Sequence, residues 1–69
     1  MTINDYKDVF LGEVRRQLSG TDAARARSVL ATMEPHAVFL ELERLREAGR
    51  LRGAEFEKAL SDFYWLFCH

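Results

Sequence analysis

The sequence has few of the features that stabilise small secreted proteins or anchor proteins in membranes. Its one cysteine, Cys68, cannot form an internal disulfide, so the cross-links typical of small extracellular chains are excluded. No apolar run reaches the roughly 18 residues of a membrane span. The opening segment, MTINDYKDVF, does not have the basic and then apolar pattern of a signal peptide. We therefore expect a cytoplasmic protein in a reducing compartment that makes no contact with a membrane.

An excess of charge of one sign is also missing. Ten basic and eleven acidic side chains give a net charge of -1. The sequence pI of 6.1 is far from the basic character expected of a nucleic-acid-binding domain. The charge is mildly uneven along the chain: residues 54–69, for example, contain three acids against Lys58 alone. The balance argues against nucleic acid as the main partner.

The motifs of common enzyme and metal sites are absent as well. The sequence contains no glycine-rich phosphate loop, no GxSxG, no HExxH and no CxxC. The only histidines are His36 and His69, and Cys68 with His69 would bind a metal only if another chain supplied further ligands. We predict no enzymatic activity, no cofactor and no metal.

What the sequence does contain is apolar residues repeated every three or four positions, which is typical of helices with one buried face. With 69 residues, of which 48% are hydrophobic, residues 1–69 form a single packed domain. No alternation with a period of two indicates strands. We predict an all-α bundle of three to four short antiparallel helices. The stripes are Ile3, Tyr6, Phe10, Val14 and Leu18; Ala23, Ala26, Leu30 and Met33; Val38, Leu42 and Leu45; and Phe56, Ala59, Leu60, Phe63 and Phe67.

Capping residues set the expected helix ends. A Ser-Gly pair and a Glu-Pro pair stop the first and second helices, and Thr21 with Asp22 caps the start of the second. Pro35 begins the third helix, Gly49 ends it in the left-handed conformation, and Leu51 packs back against it. The first, third and fourth helices are expected at 3–18, 35–48 and 54–67.

Residues 40–60 spell a leucine-spaced helix that ends in Ala-Gly, followed by a second helix that opens with Glu-Phe-Glu. This third of the chain resembles the short C-terminal domain (SHOCT) pattern. The resemblance implies a helical hairpin that supports oligomerisation and has no catalytic role. The matching residues are Leu42, Leu45, Ala48, Gly49, Leu51, Glu55, Phe56 and Glu57.

Residues 36–51 also resemble the recognition helix and exit turn of winged-helix regulators, which implies DNA binding. Four carboxylates in and beside this helix would then lie next to phosphates, and the segment after Gly53 is helical and does not form a wing. The alternative function is thus a minimal helix-turn-helix transcriptional regulator that uses the second and third helices. Its backbone contacts would be Arg25, Arg27, Arg44, Arg46, Arg50 and Arg52.

Several apolar residues lie off the predicted core stripes. Each residue of a helix is rotated by about 100° from the one before it, so Leu40 and Trp65 point away from the stripes of their helices. Val9 also points away from the stripe of the first helix, close to Arg16.

Four of the eight aromatic residues fall within 63–67, and Trp, Tyr and Arg dominate the energetics of protein interfaces. Glu41 with Arg44 and Glu43 with Arg46 are spaced for ion pairs on a solvated helix face. The candidate interface residues are Tyr64, Trp65, Phe67, Phe39, Leu40, Val9, Arg16, Arg44 and Arg46.

Together these patterns predict a small non-enzymatic helical protein. We expect it to form a homodimer through the third and fourth helices, because a chain of this length has more apolar helical surface than one copy can bury. We also expect it to bind a larger protein, such as a transcriptional regulator or an enzyme complex, and to modulate or inhibit it. Inhibitors, antiactivators and adaptors of phages and mobile elements have this architecture.

Overall fold

The computed structural model describes residues 2–69, which fold into four helices with no strand among them. The helices are α1 (Ile3–Gln17), α2 (Gly20–Ala31), α3 (Pro35–Glu47) and α4 (Ala54–Phe63), and a π-helical segment, Tyr64–Cys68, continues directly from α4. Each helix contacts the next along the chain, and α4 also contacts α1, so the four helices surround one core. The predicted all-α class is confirmed.

Three fully buried phenylalanines form the centre of the core. The ring of Phe10 on α1 meets the ring of Phe63 edge-on at 5.3 Å and that of Phe56 at 6.3 Å. Burial of a large apolar side chain stabilises the fold by about 1.5–3 kcal/mol. The other buried apolar residues come from all four helices and the turn before α4, and most lie on the predicted stripes: Tyr6, Val14, Ala23, Ala26, Leu30, Val38, Leu42, Leu45, Leu51 and Leu60.

The structure corrects both ends of the second helix. Its first residue is Gly20, so the N-cap is Ser19 rather than Thr21. Gly20 has a φ of 59°, a conformation that favours glycine. Asp22 lies in the first turn, as predicted. Met33 does not extend the buried face, since the helix stops at Ala31 and Met33 itself has a φ of 60° and is half-buried.

The turn after α3 forms as the sequence predicts. Gly49 has a φ of 73°, its N–H donates to the Arg46 carbonyl at 3.0 Å, and the N–H of Arg50 donates to the Leu45 carbonyl at 2.9 Å. These two bonds define a Schellman motif, which satisfies carbonyls that the helix end leaves free. Leu51 is 1% exposed, which confirms that it packs back into the core.

Candidate protein-binding surface

The chain after α4 does not continue as the α-helix expected to residue 67. It winds as a π-helix, and this wider winding allows several of its side chains to reach other elements together. Phe67 packs edge-on against Tyr6 of α1, with ring centroids 5.8 Å apart, while the Cys68 thiol donates to the carbonyl of Pro35 at 3.4 Å. The segment is therefore fixed between α1 and α3.

Tyr64 begins this segment and packs against α3. Its ring lies 4.9 Å from the ring of Phe39, at an interplanar angle of 49°, and both side chains are half-buried. Trp65 follows and is 61% exposed, with only Tyr64 and His69 as aromatic neighbours. Leu66, the next residue, is 60% exposed. We call Trp65 and Leu66 the outward pair.

The predicted exposure of the off-stripe residues is confirmed. Trp65, Leu40 and Val9 are all exposed, with Leu40 at 66% and Val9 at 38%. Leu66 was not among the predicted interface residues, although it lies in the same apolar run. Its position beside an exposed tryptophan was the available signal.

Phe67 was predicted both in the core stripe and in the interface, and the structure places it against the core. Its ring lies 5.3 Å from Phe63 as well as 5.8 Å from Tyr6, and it is half-buried. Phe67 therefore holds the segment in place and contributes little to its outer surface.

Beside this segment, α3 and α4 enclose an open groove of about 280 Å³, which we call the α3–α4 groove. One end is aromatic and the other is charged. Its lining residues are Phe39, Glu43 and Arg46 from α3, and Glu57, Leu60, Ser61 and Tyr64 from α4 and the following segment.

Arg46 organises the charged end of the groove. Its guanidinium donates to Glu43 at 2.8 Å and to Glu47 at 3.1 Å, but lies 3.6 Å from Glu57. The hydrogen bond from Arg46 lowers the pKa of Glu43, so this carboxylate stays ionised at neutral pH. The side chain of Glu57 is 49% exposed and lies beyond hydrogen-bond distance of Arg46.

The expectation of a solvated face of ion pairs is correct for Glu43 and Arg46 but wrong for Glu41. The side chain of Glu41 is only 6% exposed, because it accepts hydrogen bonds from Arg25 of α2 as well as from Arg44. This carboxylate joins two helices and is not part of the outer surface.

The remaining candidates do not join the groove. Val9 lines a separate depression between α1 and α4, Arg16 pairs with Glu13 on its own helix at 2.6 Å, and Arg44 is bound to Glu41. Leu40 follows Phe39 but points about 100° further round α3. From the predicted set, the structure therefore brings Phe39, Arg46 and Tyr64 together in the groove, with Trp65 beside Tyr64.

Within residues 2–69, no three His, Cys, Asp or Glu side chains lie close enough together to hold a metal ion. Over the same residues, no helix has the length and apolar character needed to cross a bilayer. Burial, followed by the nearby Glu34 carboxylate, raises the pKa of the Cys68 thiol, which disfavours the nucleophilic thiolate.

The arginines assigned to DNA in the alternative function are mostly occupied by carboxylates. Arg25 and Arg44 pair with Glu41, and Arg46 pairs with Glu43. Arg50 binds Asp22 at 2.7 Å. Contacts of this kind reduce the positive charge available to phosphates.

Comparisons of the chain with protein-family models, with curated proteins and with solved structures found no match. The SHOCT-like and winged-helix-like patterns thus stay predictions from the sequence. The function is therefore inferred from the geometry of the π-helical segment Tyr64–Cys68 and of the α3–α4 groove.

Proposed function

We propose that this protein is a small non-enzymatic binding protein that forms a homodimer and attaches to a larger protein in order to modulate it. The observation that carries the proposal is the outward pair. Two large apolar neighbours, Trp65 and Leu66, are 61% and 60% exposed although the residues on either side of them pack inward. Tryptophan is one of the residue types enriched among the anchors of protein interfaces.

The outward pair is presented on a rigid support. Tyr64 before it packs on Phe39, and Phe67 after it packs on Tyr6 and Phe63. A surface that is already ordered loses less conformational entropy on binding, so more of its contact energy appears as affinity. This rigidity supports an interface role over that of a loose chain end.

A second copy of the chain is a suitable occupant for the outward pair. A domain of this size buries a modest fraction of its surface, and association with a copy adds apolar burial without lengthening the chain. In a twofold interface each copy supplies the same residues, so Trp65 and Leu66 would bury apolar surface once from each of the two copies. The larger target would then bind elsewhere on the same fold.

Substitution of Trp65 tests the proposal. We expect Trp65→Ala to weaken self-association by about 2 kcal/mol or more, which is about a 30-fold rise in Kd, as measured by sedimentation equilibrium. Thermal unfolding should change little, because the side chain is mostly in water. Val9→Ala is the matched control, since it removes exposed apolar surface on the other side of α4. Unchanged association of Trp65→Ala would refute the role of the outward pair.

A further inference from the structure

The α3–α4 groove differs from the outward pair because it combines an aromatic end with unbalanced acidic charge. Phe39 and Tyr64 form one end, and the buried Leu60 contributes to the lining. At the other end, the lining contains two carboxylates, Glu43 and Glu57, against the single guanidinium of Arg46.

Arg46 does not neutralise both carboxylates of the groove, because its short contacts go to Glu43 and Glu47 and not to Glu57. Its Nη2 lies 2.8 Å from Glu43 and 3.1 Å from Glu47, whereas its Nη1 is 3.6 Å from Glu57. Glu57 therefore retains its capacity to accept hydrogen bonds from a ligand.

The size and shape of the groove fit side chains of a macromolecule better than a whole small molecule. At about 280 Å³ and open to solvent, it is close to the lower limit of about 300 Å³ for small-molecule cavities. Tyr64 and Glu57 are seven residues apart, which is two helical turns or about 10 Å along the axis. A partner helix with anchors one heptad apart matches this distance.

We propose that the α3–α4 groove binds a basic amphipathic helix of the partner protein. An apolar side chain of that helix packs over Phe39 and Tyr64, and an arginine or lysine one heptad away binds Glu57. The mode is a helix in a groove with a charge-assisted hydrogen bond at one end. An acidic helix or a nucleic acid is repelled by the same carboxylates. The inference rests on the proposed function, because it identifies the chemistry of the larger partner.

The probe is a display library of helical peptides about 18 residues, or five turns, long with positions i, i+3, i+4 and i+7 randomised. Peptides selected on the wild-type protein should carry an apolar or aromatic residue at one end of the heptad and Arg or Lys at the other. Their affinity should fall about tenfold or more in Glu57→Lys, as expected for loss and reversal of a charge-assisted contact. Glu57→Gln gives the same test with a smaller perturbation if the lysine variant unfolds.

Glu55→Lys is the matched control, because it makes the same charge change on α4 but lines the depression beside Val9. Peptide binding should be retained in this variant. Failure to enrich basic peptides, or an equal loss in both lysine variants, overturns the inference. Self-association of the wild-type and Trp65→Ala proteins is measured in parallel. A loss of the groove proposal then appears in peptide binding alone, whereas a loss of the homodimer proposal appears in self-association.

Discussion

Glu41 of α3 and Arg25 of α2 are joined by a hydrogen bond of 3.2 Å that ties these two helices together. Arg44 donates to the same carboxylate at 2.8 Å from the next turn of α3. The Glu41 side chain is 6% exposed, whereas both arginines remain partly in water. A buried carboxylate is costly unless it is paired, so this arrangement makes Glu41 a structural residue.

The pairing of Glu41 makes the stability of the protein depend on pH. The hydrogen bond from Arg44 lowers the pKa of Glu41 from its ordinary value of 4.5, against the opposing effect of burial. Because the folded pKa is the lower one, the stabilisation is complete above about pH 4.5 and is lost as the pH falls through the folded pKa. We expect the free energy of unfolding to fall on acidification.

Urea denaturation of Glu41→Gln measures this contribution. At neutral pH the variant should lose about 1–3 kcal/mol of stability, because the two arginines lose a charged acceptor. Between neutral and about pH 3 its stability should change less steeply than that of the wild type. If the free energy of unfolding changes with pH equally in the two proteins, Glu41 is not the source of the pH dependence.

A second stabilising contact joins α1 to the turn before α4. The side-chain amide of Gln17 donates to the carbonyl of Arg52 and accepts from its N–H, each at 2.8 Å. Gln17→Ala should cost about 1–2 kcal/mol, since both backbone groups lose their partner. Gln17→Glu retains the acceptor for the Arg52 N–H but places a carboxylate beside Glu13, which accepts from the Gln17 amide at 2.7 Å in the wild type, so it should be no more stable than Gln17→Ala. Chemical denaturation at neutral pH checks this order, which a wild-type stability for Gln17→Ala would contradict.

Two glycines should respond in opposite directions to substitution by alanine. Gly49 has a φ of 73°, and an added Cβ would come no closer than 3.9 Å to the Arg52 side chain. The cost of Gly49→Ala is therefore conformational, about 1–2 kcal/mol. Gly12 lies inside α1, and beyond its chain neighbours and the backbone of its own helix no atom lies within 4 Å of an added Cβ, so Gly12→Ala should stabilise by about 0.5–1 kcal/mol. Thermal unfolding should show a lower Tm for the first variant and a higher Tm for the second, and shifts of the same sign would be inconsistent with this assignment.

The features that the sequence predicted correctly are those determined by nearby residues. Gly49 ends α3 and Leu51 packs back because a left-handed glycine and an apolar residue two positions later are sufficient to form that turn. The exposure of Leu40 likewise follows from the angle between this residue and the stripe of α3.

The features that were missed depend on residues distant in the sequence. The burial of Glu41 depends on Arg25, which lies 16 positions earlier. The π-helical winding after α4 accompanies contacts of Tyr64 with Phe39 and of Cys68 with Pro35, both on α3. A helical period read along one segment contains no information about such contacts.

The molar mass in solution tests the central claim most directly. Light scattering across a concentration series should give twice the chain mass of 8.0 kDa for the wild type at low micromolar concentration. At the same concentrations, Trp65→Ala should give a value close to the mass of one chain. A wild-type protein that stays at 8.0 kDa throughout, or a Trp65→Ala variant that retains the doubled mass, would contradict the assignment of the outward pair as the interface.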